Sequence, residues 1–195
     1  MHVTPRPDLT LASLPWDVGA YRSPGLHQST IITHLMSLID PEAYDLEQDP
    51  GDVVRVRIGS VLERALESAL LSLFPTIIRP GEFCLDGVYG TPDGFDLAQS
   101  PVRLMEYKCT WKSGRQPITD KKFRAWIMQI MGYLKMTGLV SATLIVFFVN
   151  GEYEKGKFGE PLLKAWDLTF SSFEIDENWE RLLRHADQYQ LGRVA

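Results

Sequence analysis

Three charged residues near the middle of the chain have side chains and spacing suited to binding a divalent cation. Asp93 lies between a proline and a glycine, and the 12 residues Gly94–Met105 separate it from the run Glu106, Tyr107, Lys108. The residues before Glu106 are largely apolar, which predicts a strand. Because strand side chains alternate between two faces, Glu106 and Lys108 point to the same side. Buried charge is costly unless it is paired or binds a metal, so a cation would account for this arrangement.

Each half of this pattern also has an ordinary structural explanation. Pro-Asp-Gly is typical of a hairpin turn, because proline presets φ, aspartate bonds to nearby backbone and glycine tolerates positive φ. Glu106 and Lys108 could form a surface ion pair that contributes little to stability. The order of the pieces favours a catalytic site: an acid at a turn is followed by an apolar strand that ends in an acid and a lysine.

These pieces resemble the motifs of a known enzyme superfamily. Pro92-Asp93 followed by Glu106-x-Lys108 resembles the core signature of the PD-(D/E)XK nucleases. Gln129-x-x-x-Tyr133 is similar to the extra motif of their branch of lambda-type phage exonucleases and RecB-type nuclease domains. The similarity covers roughly Gly59–Asn150, with the motifs in the family's order. It implies an α/β fold with a mixed central β-sheet flanked by helices, and hydrolysis of DNA to products with 5′-phosphates.

The resemblance also implies roles for individual residues. Asp93 and Glu106 would bind one or two Mg²⁺ or Mn²⁺ ions together with the backbone carbonyl of Tyr107, since oxygen ligands suit these ions better than zinc. Lys108 would orient or help to deprotonate the attacking water and stabilise charge in the transition state. Glu63, four residues after a glycine, would support a second metal or a metal-bound water, although a solvated helix glutamate remains the alternative.

Two strongly patterned helices are predicted beside this strand. Ser60–Phe74 has a wide apolar face, with Glu63 at its border and Glu67 further towards solvent. In Lys121–Thr137, Gln129 and Tyr133 lie four residues apart on one face of an otherwise apolar stretch. A buried amide needs hydrogen-bond partners, so these two are either satisfied core residues or, by the resemblance, hold catalytic side chains and a substrate phosphate.

Charge distribution decides whether the chain is suited to nucleic acid. The net charge of −5 is unfavourable, since phosphate contacts normally come from lysine and arginine. Between Lys108 and Lys135, however, there are seven basic residues and one acid. A solvated loop and helix start is the alternative, and Trp111 could either stack on a base or cap the core. The predicted DNA-binding residues are Trp111, Lys112, Arg115, Lys121, Lys122 and Arg124.

The remaining elements complete a mixed α/β arrangement. An acidic loop is predicted at Asp40–Asp52 and a hairpin turn at Gly90–Gly94. Further helices are predicted from about Ser29 to Ile39 and at Asp176–Gln188. Strands are predicted at Thr76–Arg79, Glu82–Tyr89, Val102–Cys109, Ala142–Asn150 and Leu163–Thr169, the last after a charged hairpin at Gly151–Gly159.

Length and composition predict a single domain of 195 residues, which by the resemblance is a nuclease domain. It is expected to comprise an N-terminal arm, 1–28, with four prolines, a core at 59–150, and a C-terminal hairpin and helix at 151–195. The N-terminus has no signal-peptide core and no apolar run spans a bilayer, so we expect a cytoplasmic protein, in the host cytoplasm if phage-encoded. Two cysteines without Cys-x-x-Cys spacing exclude a disulfide framework and a four-thiolate cluster.

The favoured hypothesis is therefore a metal-dependent DNA exonuclease of phage-type recombination or DNA processing. An endonuclease of the same fold and a non-catalytic DNA-binding or scaffold protein with a degenerate nuclease fold remain open. The sequence contains no P-loop, no His-Glu-x-x-His and no Gly-x-Ser-x-Gly, which excludes those three catalytic classes. DNA is the expected partner, while a single-strand annealing protein and a second copy of the chain stay open and no membrane is expected.

Overall fold

A computed structural model describes residues 23–41, 44, 50–154, 157 and 159–192, with backbone alone at 50–56. Most of the predicted N-terminal arm lies outside these residues. None of the helices described is long and apolar enough to cross a membrane. The elements are β1 Leu26–His27, α1 Gln28–Ile39, α2 Pro50–Leu73, β2 Ile77–Ile78, β3 Phe83–Leu85, β4 Val88–Gly90, β5 Gly94–Asp96, β6 Arg103–Thr110, α3 Arg124–Thr137, β7 Ser141–Phe148, β8 Leu162–Thr169 and α4 Ser172–Gln188.

The main sheet has five strands in the order β2, β5, β6, β7, β8. Strands β6 and β7 are parallel and the other neighbours are antiparallel, which confirms the predicted mixed α/β fold. Helix α3 connects β6 to β7, as a parallel pair requires. One face of the sheet packs against α3 through a core that includes Leu104, Ile130 and Leu144, and the other packs against α2 through Leu70 and Met105.

A second, small sheet corrects the predicted strand Glu82–Tyr89. Those residues form the hairpin β3–β4, and β4 also pairs in parallel with β1. The turn residues Asp86 and Gly87 have φ of 50° and 76°. Asp-Gly is a preferred pair for a two-residue turn with positive φ at both positions, so this dipeptide ended the strand that apolar content alone had predicted to continue.

The segment Gly90–Gly94 is not a hairpin, contrary to the sequence prediction. Strand β4 belongs to the small sheet and β5 to the main sheet, so the segment carries the chain from one sheet to the other. The Pro-Asp-Gly composition identified a change of direction correctly but not the partners of the flanking strands. Asp93 consequently lies where the chain enters the main sheet.

Helix α2 begins at Pro50, well before the predicted start at Ser60. Proline is favoured in the first turn of a helix, where its missing N–H has no helical partner. The valine-rich residues 53–58 have low helix propensity, so the sequence prediction did not extend the helix through them. The end of the predicted acidic loop Asp40–Asp52 is therefore helical.

Helix α1 is fastened to α3 by one buried amide. The Gln28 side chain is 1% exposed and its Nε2 donates to the backbone carbonyl oxygen of Gln129 at 2.8 Å. Gly132 makes this possible, because a Cβ at that position would lie 2.2 Å from Gln28 Nε2. The start of α1 is thereby fixed beside Gln129.

Replacing Gly132 with alanine is expected to destabilise the protein, because the methyl group would displace the Gln28 amide from its partners. The alanine gains about 1 kcal/mol of helix propensity, whereas overpacking costs roughly 1–3 kcal/mol and the loss of a buried hydrogen bond about as much. Urea unfolding should show a net loss of about 1–3 kcal/mol. Gly81→Ala is the control, since a Cβ there has nothing within 4 Å.

A double-mutant cycle identifies the cause of that loss. In a Gln28→Ala background the clash is absent, so Gly132→Ala should no longer lower the free energy of unfolding. An equal loss in both backgrounds would show that the Gln28 amide does not require glycine at position 132.

Candidate active site

The site is built on a strand edge that the sheet leaves unpaired. Strand β5 pairs with only Arg103–Met105 of β6, whereas β7 pairs with β6 from Leu104 to Thr110. Beyond Met105 the backbone N–H groups on the β5 side need other partners, because an unpaired buried N–H is costly.

Two carboxylates from outside the sheet satisfy this edge. Asp93 Oδ2 accepts a hydrogen bond from the Tyr107 backbone N–H at 2.7 Å, and Glu63 Oε1 accepts one from the Cys109 N–H at 2.9 Å. The N–H and C=O of one strand residue point to the same edge, so the Tyr107 carbonyl faces this side as well. The edge therefore gathers two acids and a backbone carbonyl.

Glu106 and Lys108 form a buried ion pair on the face of β6 that packs towards α3. Lys108 Nζ lies 2.6 Å from Glu106 Oε1, and the two side chains are 15% and 1% exposed. The other oxygen, Glu106 Oε2, is buried without a hydrogen-bond partner. Asp93 lies near enough for its charge to raise the pKa of Glu106, so two acids lie beside the lysine.

Helix α3 places an amide and a phenol over this pair. Gln129 Nε2 donates to the Tyr133 hydroxyl oxygen at 2.7 Å, as their four-residue spacing allows. Gly90 gives the Tyr133 ring its space, because a Cβ at that position would lie 2.9 Å from Tyr133 Cε1. Burial and the charge of Glu106 raise the pKa of Tyr133, so its hydroxyl stays protonated.

The acids and the lysine shift one another's protonation. Burial, together with the charge of Asp93, raises the pKa of Glu106 to about 8 despite the opposing charge of Lys108. Burial also raises the pKa of Asp93 and of Glu63. Burial alone would lower the pKa of Lys108, but the three carboxyl groups outweigh it and raise the pKa. The lysine is therefore a cation at neutral pH.

This donor set suits a magnesium-like ion. Within the described part of the chain, no three His, Cys, Asp or Glu side chains converge closely enough to hold a metal. Mg²⁺ is commonly bound by one or two carboxylates, with water and substrate phosphate completing its shell. Asp93 and the unpartnered Oε2 of Glu106 supply two carboxyl groups at one place, and the raised pKa of Glu106 marks a position where a positive charge is favoured.

Structural comparison finds this architecture in known enzymes. LHK-Exo in complex with dAMP aligns with a TM-score of 0.50 and 11% identity over 86% of this chain and 88% of its own. Another structure of LHK-Exo, an alkaline exonuclease from Laribacter hongkongensis, gives 0.48 and 13% over 69% and 68%. A phage-related exonuclease from Haemophilus somnus 129PT gives 0.47 and 13% over 87% and 96%. No family model and no curated protein matches the sequence.

The chain shares its fold with LHK-Exo. The resemblance inferred from the sequence motifs is thus confirmed at the level of the fold. In this nuclease fold, the seven residues predicted for catalysis and metal binding come together around the free edge of β6 and the facing side of α3: Glu63, Asp93, Glu106, Tyr107, Lys108, Gln129 and Tyr133.

A cleft of about 800 Å³ opens onto this candidate active site. Asp93, Glu63, Gln129 and Tyr133 line it, while the buried Glu106–Lys108 pair lies behind that lining. None of the six residues predicted to bind DNA lines this cleft.

The six predicted DNA-binding residues differ in how far they are engaged by the protein. Lys112 Nζ donates to the Lys122 carbonyl oxygen at 2.6 Å and lies 5.5 Å from the Trp126 ring centre. Arg115 is paired with Glu154, and Trp111 is partly buried. Lys121 and Lys122 lie in a short 3-10 turn, Lys121–Phe123, just before α3, which begins at Arg124 rather than at the predicted Lys121; all three basic side chains are exposed.

Sequence reasoning missed the cationic side of the cleft, where Arg64 and Arg79 lie. It also placed Glu67 towards solvent, which is wrong, because this side chain is 13% exposed and its Oε1 lies 3.3 Å from Arg79 Nε. Glu63 and Glu67 are four residues apart and share a helix face, which was the available signal. The charge of Arg79 reaches Asp93, where it partly offsets the rise in the Asp93 pKa caused by burial.

Without metal, the protein is expected to lose stability as the pH rises. The folded state keeps a proton on Glu106 up to about pH 8, whereas an unfolded glutamate loses it near 4.5. The folded state therefore binds more protons between these values, and the free energy of unfolding falls across that window. Asp93 and Glu63 act in the same direction. Thermal melting in chelator from about pH 5 to about pH 9 measures the effect.

Glu106→Gln provides the matched control for this pH dependence. The amide has nearly the same shape but does not titrate, so the decline in melting temperature should become shallower. A decline that is equally steep in the Gln variant would show that Glu106 is not the group responsible.

Proposed function

We propose that the protein is a metal-dependent DNA exonuclease that hydrolyses phosphodiester bonds. The observation that carries the proposal is the buried Glu106–Lys108 pair beside Asp93, at the free edge of β6 in a nuclease fold. Buried charges in a cleft, with strongly shifted pKa values, are typical of catalytic sites. A scaffold that had lost catalysis would have no need to retain them.

Asp93 and Glu106 would hold the ion, Mg²⁺ or Mn²⁺, with the Tyr107 carbonyl on the same strand edge. Glu63, fixed by the Cys109 N–H, would hold a second ion or a bound water. When bound, the ion would supply charge stabilisation at the attacked phosphate and a more acidic water.

Lys108 is assigned the role of a fixed cation. Its raised pKa keeps the ammonium charged, which favours donation to the attacked phosphate or to the water over removal of a proton. Glu106 holds the ammonium at 2.6 Å, so the lysine needs no reorganisation during the reaction.

Gln129 and Tyr133 are proposed to position the substrate. Gln129 donates to the phenol oxygen, which leaves the Tyr133 hydroxyl hydrogen available to donate into the cleft. A phosphate oxygen is the acceptor that this proton would meet.

The exonuclease assignment draws on the names of the similar structures, which are an alkaline exonuclease and a phage-related exonuclease. An endonuclease of the same fold has the same core residues. The topology of the DNA substrate separates the two activities, since an exonuclease needs a free end.

Lys108→Ala is expected to lower hydrolysis of linear DNA in Mg²⁺ by about 10²- to 10³-fold, as removal of one preorganised charge at a transition state does. Lys135→Ala is the control, because Lys135 is also ion-paired, with Asp176 at 2.7 Å, but does not line the cleft. Release of nucleotides from linear DNA and nicking of circular DNA measure both activity and mode.

Three results would contradict the proposal in different ways. Nicking of circles would replace the exonuclease by an endonuclease. Equal activity of the Lys108 and Lys135 variants would remove Lys108 from the mechanism. DNA binding without hydrolysis in several metals would identify a non-catalytic protein.

The exposed basic residues just before and at the start of α3 are proposed to contact DNA outside the cleft. Replacing Lys121 and Lys122 with alanine should weaken DNA binding and lower the salt dependence by about 0.7 to 0.9 for each phosphate that is no longer neutralised. Lys112→Ala should instead lower stability, because its ammonium is bonded within the fold. Fluorescence anisotropy at several salt concentrations measures the binding.

The control for that experiment makes the same charge change at Lys135 and Arg184. If this pair reduces the salt dependence as much as Lys121 and Lys122 do, the effect is one of net charge, and the residues just before α3 do not bind DNA.

A further inference from the structure

The positive charge inside the cleft comes from an unexpected part of the chain. Of the lysines and arginines in the described residues, Arg64 of α2 and Arg79, just after β2, line the cleft. A phosphate chain entering the cleft carries negative charge past Asp93, Glu63 and Glu67, so cations are needed close to its path. The two arginines are placed to supply them.

Arg79 is oriented by an ion pair with an acid of α2. Glu67, which is 13% exposed, pairs with Arg79 Nε at 3.3 Å, while the arginine side chain remains 58% exposed. Helix α2 orients this anchor, because Glu63, one turn earlier on the same face, is bonded to the β6 edge. Arg79 is therefore tied to the element that carries a candidate metal ligand.

An arginine fixed in this way is well suited to a phosphate. Its guanidinium is planar, with five N–H donors, and Glu67 forms an ion pair near Nε without a hydrogen bond, so the terminal nitrogens can still donate. Orientation by Glu67 also reduces the side-chain entropy that binding would cost.

The surface beyond Arg79 continues as a second groove. Arg64, Glu67 and Arg79 line both the cleft and a neighbouring depression of about 660 Å³, which Ser68, Leu71 and Ser72 of α2 complete. The arginines thus lie at the junction between the site of hydrolysis and a groove along α2.

Building on the proposed nuclease function, we propose that Arg79 binds the phosphate next to the one hydrolysed, and that the same DNA strand continues over Arg64 into the α2 groove. The ligand of this subsite is the sugar–phosphate backbone of a single strand. Arg79 would act as a substrate-binding residue and would not take part in bond cleavage.

The test compares two substrates that differ in the number of phosphates. An oligodeoxythymidylate reaches both the site and the subsite, whereas thymidine 5′-p-nitrophenyl phosphate has a single phosphodiester and cannot reach Arg79. For the oligonucleotide, Arg79→Ala should raise KM by about 10- to 100-fold, as loss of a charged hydrogen bond does, and lower its salt dependence by about 0.7. For the single-phosphate probe, the variant should equal the wild type.

Two further variants control for charge and folding. Arg184→Ala removes the same charge from the exposed side of α4 and should leave KM unchanged. Arg79→Lys keeps the charge but loses the planar fork, so its KM should lie between those of wild type and Arg79→Ala.

The possible failures are distinguishable. If Arg79→Ala matches Arg184→Ala on the oligonucleotide, or slows both substrates equally, the subsite is refuted while the nuclease stands. If the wild type hydrolyses neither of these substrates nor linear duplex DNA, the proposed function fails. Anisotropy with the oligonucleotide in chelator then tests the strand path alone, and unchanged affinity in Arg79→Ala would refute it.

Discussion

The free edge of β6 is the constraint from which the site follows. A sheet strand that extends beyond its neighbour exposes backbone donors, and the protein satisfies these at Tyr107 and Cys109 with carboxylates rather than with another strand. Carboxylates can do this only if they are brought in from elsewhere, and a sheet crossing and a helix deliver them. Their hydrogen bonds to backbone fix their positions, so an ion would meet ligands that are already oriented.

This arrangement concentrates unfavourable charge. Burial raises the pKa of all three acids, the charge of Asp93 adds to the rise at Glu106 and at Glu63, and Lys108 compensates only in part. Burying an ion pair such as Glu106–Lys108 costs desolvation that its attraction does not reliably recover. The packing around the pair is correspondingly close: Gly90 admits the Tyr133 ring, and Gly132 admits the Gln28 amide that holds α1 against α3. These two glycines thus leave room for the polar side chains that pack between the helices around the site.

The sequence predicted best what depends on local periodicity. The period of two in β6 placed Glu106 and Lys108 on one face, and the period of 3.6 in α3 placed Gln129 with Tyr133. It failed where partners are chosen across the fold. The Asp86-Gly87 turn was passed over because the surrounding residues are apolar, and Gly90–Gly94 was given the wrong neighbours because a turn motif does not specify a sheet. The capping box of Ser171 and Glu174, which starts α4 four residues before the predicted Asp176, was a local signal that was available.

The cationic side of the cleft was beyond prediction for a different reason. Arg79 follows a two-residue edge strand and meets Glu67 only because β2 pairs with β5 beside α2. The density of lysine and arginine along the chain pointed instead to residues 108–135. Some of the basic side chains in that segment already bond to other groups of the protein. Local charge density and the position of charge in the fold are independent quantities.

The crossing between the two sheets has a consequence for how this protein can vary. Only Thr91, Pro92 and Asp93 lie between the last residue of β4 and the first of β5, and the two strands are each hydrogen-bonded into a different sheet. A long surface loop can absorb an insertion or a deletion, whereas this three-residue connection is too short to do so. One residue more or less would shift the acid along the β6 edge while leaving both sheets intact, so length at this point is under a stricter constraint than residue identity on either side.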